Sequence, residues 1–349
     1  TGAQGAGPAL SGSVISTIRI AAANDAPVLT LPGSGTIAVT EDVASAVTGI
    51  TIADVDAAGG IVTVTFAIGA GTLTASSGSG VTVGGTDTAL TLTGSTTDIN
   101  AFIAAANVTF TTATDATDDV TLTVSVNDGG NSGTGGALTD SDTITLTVTA
   151  ANDAPVITVP GDATIAVTED VASALTGISF ADVDAGSSPV TVTLSVASGT
   201  LAATSGGGVT VGGTASALTL TGSITDINAF IAASNVDFTT AANDTTDVIL
   251  TVAIDDGGFS GSGGAQTDSA TITLDVTSVN DAPVVTDLSA SPIYQAGGAA
   301  VAVVGSVALS DVDSTMLTSV VLTLTTRPGG TSDYMGLFVP AANYANNHG

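Results

Sequence analysis

The sequence predicts an all-β protein: tandem antiparallel β-sandwich repeats of 128 residues, each interrupted by one short helix. Three observations carry that expectation. The tetrapeptide Asn-Asp-Ala-Pro begins at Asn24, Asn152 and Asn280, and 152 − 24 and 280 − 152 are both 128. Between these landmarks whole segments recur: residues 36–46 and 164–174 both read TIAVTEDVASA, and 97–105 and 225–233 both read TDINAFIAA. Within a unit, apolar residues alternate with Thr and Ser at period two, the mark of strands with one buried face. A period of this length is the size of one ordinary domain.

Taken in order, residues 12–23 (GSVISTIRIAAA) align with 140–151, the stretch before the next Asn-Asp-Ala-Pro. Residues 1–23 are therefore expected to hold the last strand of a preceding repeat. Residues 24–151 and 152–279 make two full repeats, and 280–349 a partial, divergent one. In the first full repeat, strands are expected over 36–40, 47–53, 81–83, 89–93 and 107–111, separated by Gly, Asp and Ser clusters. Val62, Val64, Phe66 and Ile68 share one strand face, with Thr63 and Thr65 opposite. Val120, Leu122, Val124 and Val126 repeat the pattern, as do Ile144, Leu146 and Val148. Ile99, Phe102, Ile103 and Ala106 have helical spacing behind a Thr97/Asp98 cap. Roughly seven to nine strands per unit in antiparallel order describe a β-sandwich.

Composition narrows the function classes. Aromatic residues are only 3% and Trp is absent, so the cores must be built from Val, Ile, Leu and Ala, with Phe used sparingly. Against 32 acidic residues stand two cations, Arg19 and Arg327, for a formal net charge of −30. Neutralising nucleic-acid phosphates takes Lys and Arg that this chain lacks. Docking on an anionic membrane fails for the same reason, and no apolar run is long enough to span a bilayer. With no cysteine, disulfides and thiolate metal sites are excluded. The partners that suit such a chain are cations.

The acids follow the repeat. Only two of them are Glu, Glu41 and Glu169, in identical TED settings. Keeping the longer side chain at one repeat position implies a carboxylate that must reach something. An Asp-Val-Asp follows each, at Asp54 and Asp56, then Asp182 and Asp184, and the third unit has its own at Asp311 and Asp313. Asp-Gly-Gly comes late in each full unit, at Asp128 and Asp256. Alternate residues of an extended segment place both Asp side chains on one side, and carboxylates gathered that closely repel unless a cation joins them. Calcium, which takes six to eight oxygens at flexible geometry, answers this donor set. Zinc and copper, which favour Cys and His, do not.

An enzyme is not expected. The only His is His348, so a Ser-His-Asp arrangement has no placed base. Paired carboxylates can hydrolyse glycosides, but these acids return with every repeat, whereas a catalytic site is expected once. The glycine run around Gly78 and Gly80 lacks the following helix and Lys of a phosphate-binding loop.

The order Glu, Asp-x-Asp, Asp-x-Gly, closed by Asn-Asp-x-Pro, resembles the calcium-ligand order of cadherin repeats. The units look like the cadherin-like repeats of large bacterial surface adhesins over residues 24–313. The resemblance implies calcium at the junctions of repeats: one set of Glu41, Asn152, Asp153, Asp182, Asp184 and Asp256, a second of Glu169, Asn280, Asp281, Asp311 and Asp313. Asn24, Asp25, Asp54, Asp56 and Asp128 would make half a site. The pattern departs from cadherins in its shorter linker motif, and an Asp-Arg-Glu ligand has no counterpart. In the third unit Tyr294–Gly298 (YQAGG) replaces the Glu segment. The resemblance implies a calcium-rigidified extracellular stalk of a bacterial adhesin or fibre, whose partners are calcium and neighbouring repeats. A self-assembling surface-layer or filament protein, with strand donation between copies, is the alternative.

Overall fold

In a computed structural model, the described residues are 12–57, 59–130, 133–258, 261–286, 308–314 and 316. They form two compact units. The first repeat contributes β1 (Val28–Thr30), β2 (Thr36–Thr40), β3 (Ser45–Ala46), β4 (Thr51–Ala53), β5 (Ile61–Ile68) and β6 (Thr72–Thr74). Next come β7 (Thr82–Thr86), β8 (Ala89–Ser95), α1 (Thr96–Ala104), β9 (Thr109–Thr111), β10 (Val120–Asn127) and β11 (Thr139–Thr149). One sheet has the order β2-β11-β10-β5-β8-β7; β3-β9-β6 and the pair β1-β4 make up the remaining sheets.

Period two sets the layers. Val62, Val64 and Phe66 of β5, Leu90 and Leu92 of β8, Leu122, Val124 and Val126 of β10, and Ile144 and Leu146 of β11 are buried in one core. Ile52, Leu73 and Phe110 of the smaller sheets join that core, together with Ile99, Phe102 and Ile103 of α1. The Thr residues between them point away, which suits β-branched side chains on a pleated surface. The helix also completes a sheet edge: Asn100 accepts from Ile52 N at 2.9 Å and donates to Ile52 O at 2.8 Å, so one amide satisfies both backbone groups of Ile52 in β4.

The second repeat copies this order as β12 (Val156–Thr158), β13 (Thr164–Thr168), β14 (Ser173–Ala174), β15 (Ser179–Ala181), β16 (Val190–Val196) and β17 (Thr200–Ala203). It continues with β18 (Thr210–Thr214), β19 (Ala217–Gly222), α2 (Ile224–Ala232), β20 (Val236–Thr239), β21 (Val248–Asp255) and β22 (Thr267–Thr277). Its large sheet runs β13-β22-β21-β16-β19-β18. Each repeat is thus a β-sandwich with one short helix, as expected. Of the third, β23 (Val284–Thr286) pairs antiparallel with β24 (Ala308–Ser310), the counterpart of β1 with β4. Tyr294–Gly298, Arg327 and His348 lie outside the described residues.

The structure differs from the sequence reading at several places. The expected strand 47–53 is broken, because Val47 and Ile50 both enter the core, and positions three apart cannot share a strand face. Gly49 makes the break with φ 79°, a left-handed conformation that glycine adopts without strain. The helix is capped by Ser95, not by Thr97 or Asp98: Ser95 Oγ accepts from Asp98 N at 3.1 Å and donates to Asp98 Oδ2 at 2.7 Å. Ala106 falls beyond the helix end. One pairing in each repeat is parallel, β2 with β11 and β13 with β22; in the first, the chain leaves the β1-β4 sheet at Pro32–Gly35 and joins the large sheet alongside its last strand.

Residues 12–22 belong to no strand, and Val14, Ile15, Ile18 and Ile20 are exposed. No helix among the described residues is long and apolar enough to cross a membrane.

Phe110 is fully buried where β9 faces the large sheet. Phe110→Ala should destabilise the first repeat by about 3–5 kcal/mol, read as a lower urea midpoint for that repeat with the second unchanged.

Candidate metal centre

The linkers are held in place by a latch of hydrogen bonds. Ala151 bridges to Ser262, with Asn152 N donating to Ser262 O and Ser262 N to Ala150 O, both at 2.8 Å. Gly261 permits the approach: a Cβ there would lie 2.3 Å from the Ala151 carbonyl carbon. Asn152 Nδ2 donates to Asp256 Oδ2 at 2.6 Å and to Gly264 O at 3.1 Å. Asp256 Oδ1 accepts from Gly258 N at 2.8 Å and Gln266 N at 2.9 Å. One repeat earlier, Asn24 Nδ2 donates to Asp128 Oδ2 at 2.6 Å, and Asp128 Oδ1 accepts from Gly130 N and Leu138 N at 2.9 and 2.8 Å. Burial pushes the Asp128 and Asp256 carboxyls up, but these N–H donors outweigh it and hold both below the ordinary aspartate value. Asn-Asp and Asp-Gly-Gly are therefore two halves of one latch.

The Asp-Val-Asp segments form turns that aim an acid at the linker. Asp182 Oδ1 accepts from Asp184 N at 2.8 Å and Ala185 N at 2.9 Å, and Asp184 Oδ2 accepts from Asp153 N at 2.6 Å. Asp54, Asp56 and Asp25 repeat these bonds. In the third unit Asp311 accepts from Asp313 N and Ser314 N, and Asp313 from Asp281 N.

Glu41 stands where β2 ends, its N–H bonded to Thr149 O at 3.0 Å, and is only 1% exposed. Its Oε2 accepts from Ala151 N at 3.0 Å. Glu169, also 1% exposed, accepts from Val279 N at 3.0 Å in the same way. The next residues, Asp42 and Asp170, have φ of 54° and 56° and turn back so that consecutive acids face one place. The ligand oxygens of Glu41, Asp42 and Asp153 lie within 4.8 Å of one another, as do those of Glu169, Asp170 and Asp281.

The electrostatics of these clusters are unfavourable without a cation. Burial pushes the Glu41 carboxyl up; the Ala151 N–H pulls it partly back, and the charges of Asp184, Asp42 and Asp153 push it up again. Burial also raises Asp153, followed by the charges of Asp184, Asp115, Asp42 and Asp182. Asp281 is raised by burial, then by Asp313, Asp170, Glu169 and Asp311. Among the described residues, three side-chain oxygens are buried with no hydrogen-bond partner: Asp153 Oδ2, Asp182 Oδ2 and Glu169 Oε1. Desolvated anionic oxygens without donors, in an all-oxygen set, fit a hard divalent cation such as calcium.

Of the residues expected from sequence, Glu41, Asp153, Asp182 and Asp184 come together, and so do Glu169, Asp281, Asp311 and Asp313. Asn152 and Asp256 lie in the latch beside the first cluster. Asn280 donates to Asp281 O at 3.0 Å. Asn24, Asp25, Asp54, Asp56 and Asp128 are bonded as described, but no compact group of three acidic ligand atoms forms there among the described residues. Sequence reasoning missed Asp42 and Asp170, and the loop residues Asp115 and Asn243 beside them. Asp42 and Asp170 directly follow the Glu residues in both TED segments, which was the available signal.

Neither a protein-family model nor a curated protein matches the chain. Among solved structures it is similar to the protocadherin gammaB7 EC3-6 cis-dimer, at 15% identity and TM-score 0.34, covering 72% of this chain and 48% of that one. It is similar to protocadherin gamma B2 extracellular cadherin domains 1-5, at 16% identity and TM-score 0.35, covering 74% and 42%. Human CDH23 EC21-23 matches at 15% identity and TM-score 0.35, covering 82% and 80%. The chain spans less than half the length of those two protocadherin chains.

Two outcomes test the site. A carboxyl whose folded pKa is raised contributes stability that is present below its unfolded pKa and lost as pH rises through the folded value. Metal-free protein should therefore melt at a higher temperature near about pH 5 than near about pH 7.5; below the ordinary aspartate range that gain reverses as Asp128 and Asp256 protonate. Gly261→Ala should lower the metal-free melting temperature and speed proteolysis at residues 150–153, since the linker must lift from its latch.

Proposed function

We propose that this chain is part of a calcium-rigidified extracellular spacer, a stalk of a bacterial surface adhesin or fibre, in which each linker between repeats is stiffened by bound calcium. The supporting observation is the buried, unpartnered Glu169 Oε1 facing Asp170 and Asp281, together with the corresponding cluster around Glu41. Bound calcium supplies a shared positive charge for carboxylates that otherwise repel.

The residues themselves do the positioning. Glu41 and Glu169 end the second strand of their repeats and accept from the linker backbone. The Asp-Val-Asp turns bring Asp184 and Asp313 onto the linker N–H groups of Asp153 and Asp281. A cation held by these side chains ties strand end, linker and turn to one point. The proposed ligand sets are Glu41, Asp42, Asp153, Asp182 and Asp184, and Glu169, Asp170, Asp281, Asp311 and Asp313, with Asn152, Asp256 and Asn280 holding the linkers alongside. Residues 1–23 are assigned to a preceding repeat and 280–349 to a following one, so Asn24, Asp25, Asp54, Asp56 and Asp128 would serve a further site of the same kind.

A ligand that binds only the ordered linker stabilises it by RT ln(1 + [Ca]/Kd), about 4 kcal/mol at a thousandfold excess over Kd. Limited proteolysis should cut at residues 150–154 and 278–282 in chelator and spare both in calcium. Glu41→Gln should abolish protection of the first linker alone. Equal cutting with and without calcium contradicts the proposal.

A further inference from the structure

The two acidic clusters differ at one repeat-equivalent position. Residues 115 and 243 are 128 apart, 243 − 115, and are Asp in the first repeat and Asn in the second. Their backbones match: φ is 55° at Asp115 and 57° at Asn243. Asp115 N donates to Asp42 Oδ2 at 3.3 Å, and Asn243 N donates to Asp170 Oδ1 at 3.0 Å. Their side chains act oppositely. Asp115 adds a negative charge beside Asp153. Exchanging the side-chain oxygen and nitrogen of Asn243, so that the nitrogen rather than the oxygen meets the acceptors around it, lets the amide donate at 3.2 Å to Asp281 Oδ2 and at 3.2 Å to Asp170 Oδ2.

We infer that the two clusters take up calcium in order, the Asp115 cluster first and the Asn243 cluster second, because Asn243 braces the second cluster in the metal-free state while Asp115 leaves the first dependent on the ion. This rests on the calcium reading above. At the second cluster a cation must displace two amide hydrogen bonds and meets one carboxylate fewer; calcium affinity follows the charge and rigidity of the ligand set. The clusters are more than groups of acids, since Glu169 Oε1 is buried without a partner in one, and Asp153 Oδ2 and Asp182 Oδ2 in the other. The chain would then stiffen in stages as calcium rises.

The test is a calcium titration of the full chain, following proteolytic protection at residues 150–154 and 278–282 separately. The expected result is two midpoints, the first linker protected at roughly tenfold lower calcium. Asp115→Asn should shift the first midpoint up, and Asn243→Asp the second down, each leaving the other linker unmoved. In chelator, Asn243→Asp should speed cutting at the second linker, a readout of the amide brace that needs no calcium. Coincident wild-type midpoints, or midpoints that neither exchange moves, overturn the order of filling while leaving calcium binding intact. A flat wild-type titration overturns both, and an unchanged cutting rate in chelator overturns the brace.

Discussion

Carboxylates withdrawn from water and turned toward one another need a counter-charge, and the described part of this protein offers only Arg19, which stands in the exposed segment before the first repeat. Glu41 and Glu169 are buried almost completely, yet each has one short stretch of linker backbone to bond with and other acids for neighbours. An isolated ionised carboxylate in such a place is costly, and proteins meet that cost by pairing, by protonation or by a metal. An all-oxygen donor set, in a chain with no Lys at all, suits a hard cation as that counter-charge.

The sandwich explains why the acids meet. β2 runs parallel to β11, so its end comes beside the chain as it leaves the repeat, and Glu41 N bonds to Thr149 O as one more rung of that pairing. The parallel edge strand therefore places Glu41 next to its own repeat's exit. The latch of Asn152 with Asp256 sets the linker's path before any ion arrives, and its acid is held ionised by N–H groups. Two kinds of aspartate thus share this region. In the latch both Asp256 oxygens meet donors; in the cluster Asp153 Oδ2 and Asp182 Oδ2 meet none.

Much of this was legible in the residues. The repeat, the alternating strands and the short helix follow from periodicity, which depends on local geometry alone. The convergence of Glu41 with Asp153 and Asp184 was reached through likeness to known repeats, because contacts between residues more than a hundred positions apart leave no local mark. In a continuous strand Asp42, adjacent to Glu41, would face the other way; the left-handed turn at Asp42 reverses that. The latch was also hidden. Asp256 reads as a ligand in sequence, and only the structure shows its oxygens accepting from Gly258, Gln266 and Asn152. Val47 and Ile50 misled for a related reason: a glycine turn lets both reach the core where a continuous strand could not.

The most direct test is a crystal structure grown with calcium, examined at Glu169 Oε1 and Asp153 Oδ2. The account predicts an ion within about 2.3–2.6 Å of each oxygen, the usual calcium–oxygen distance. Finding these oxygens bonded to water or to a protein donor, with no metal beside them, would contradict it.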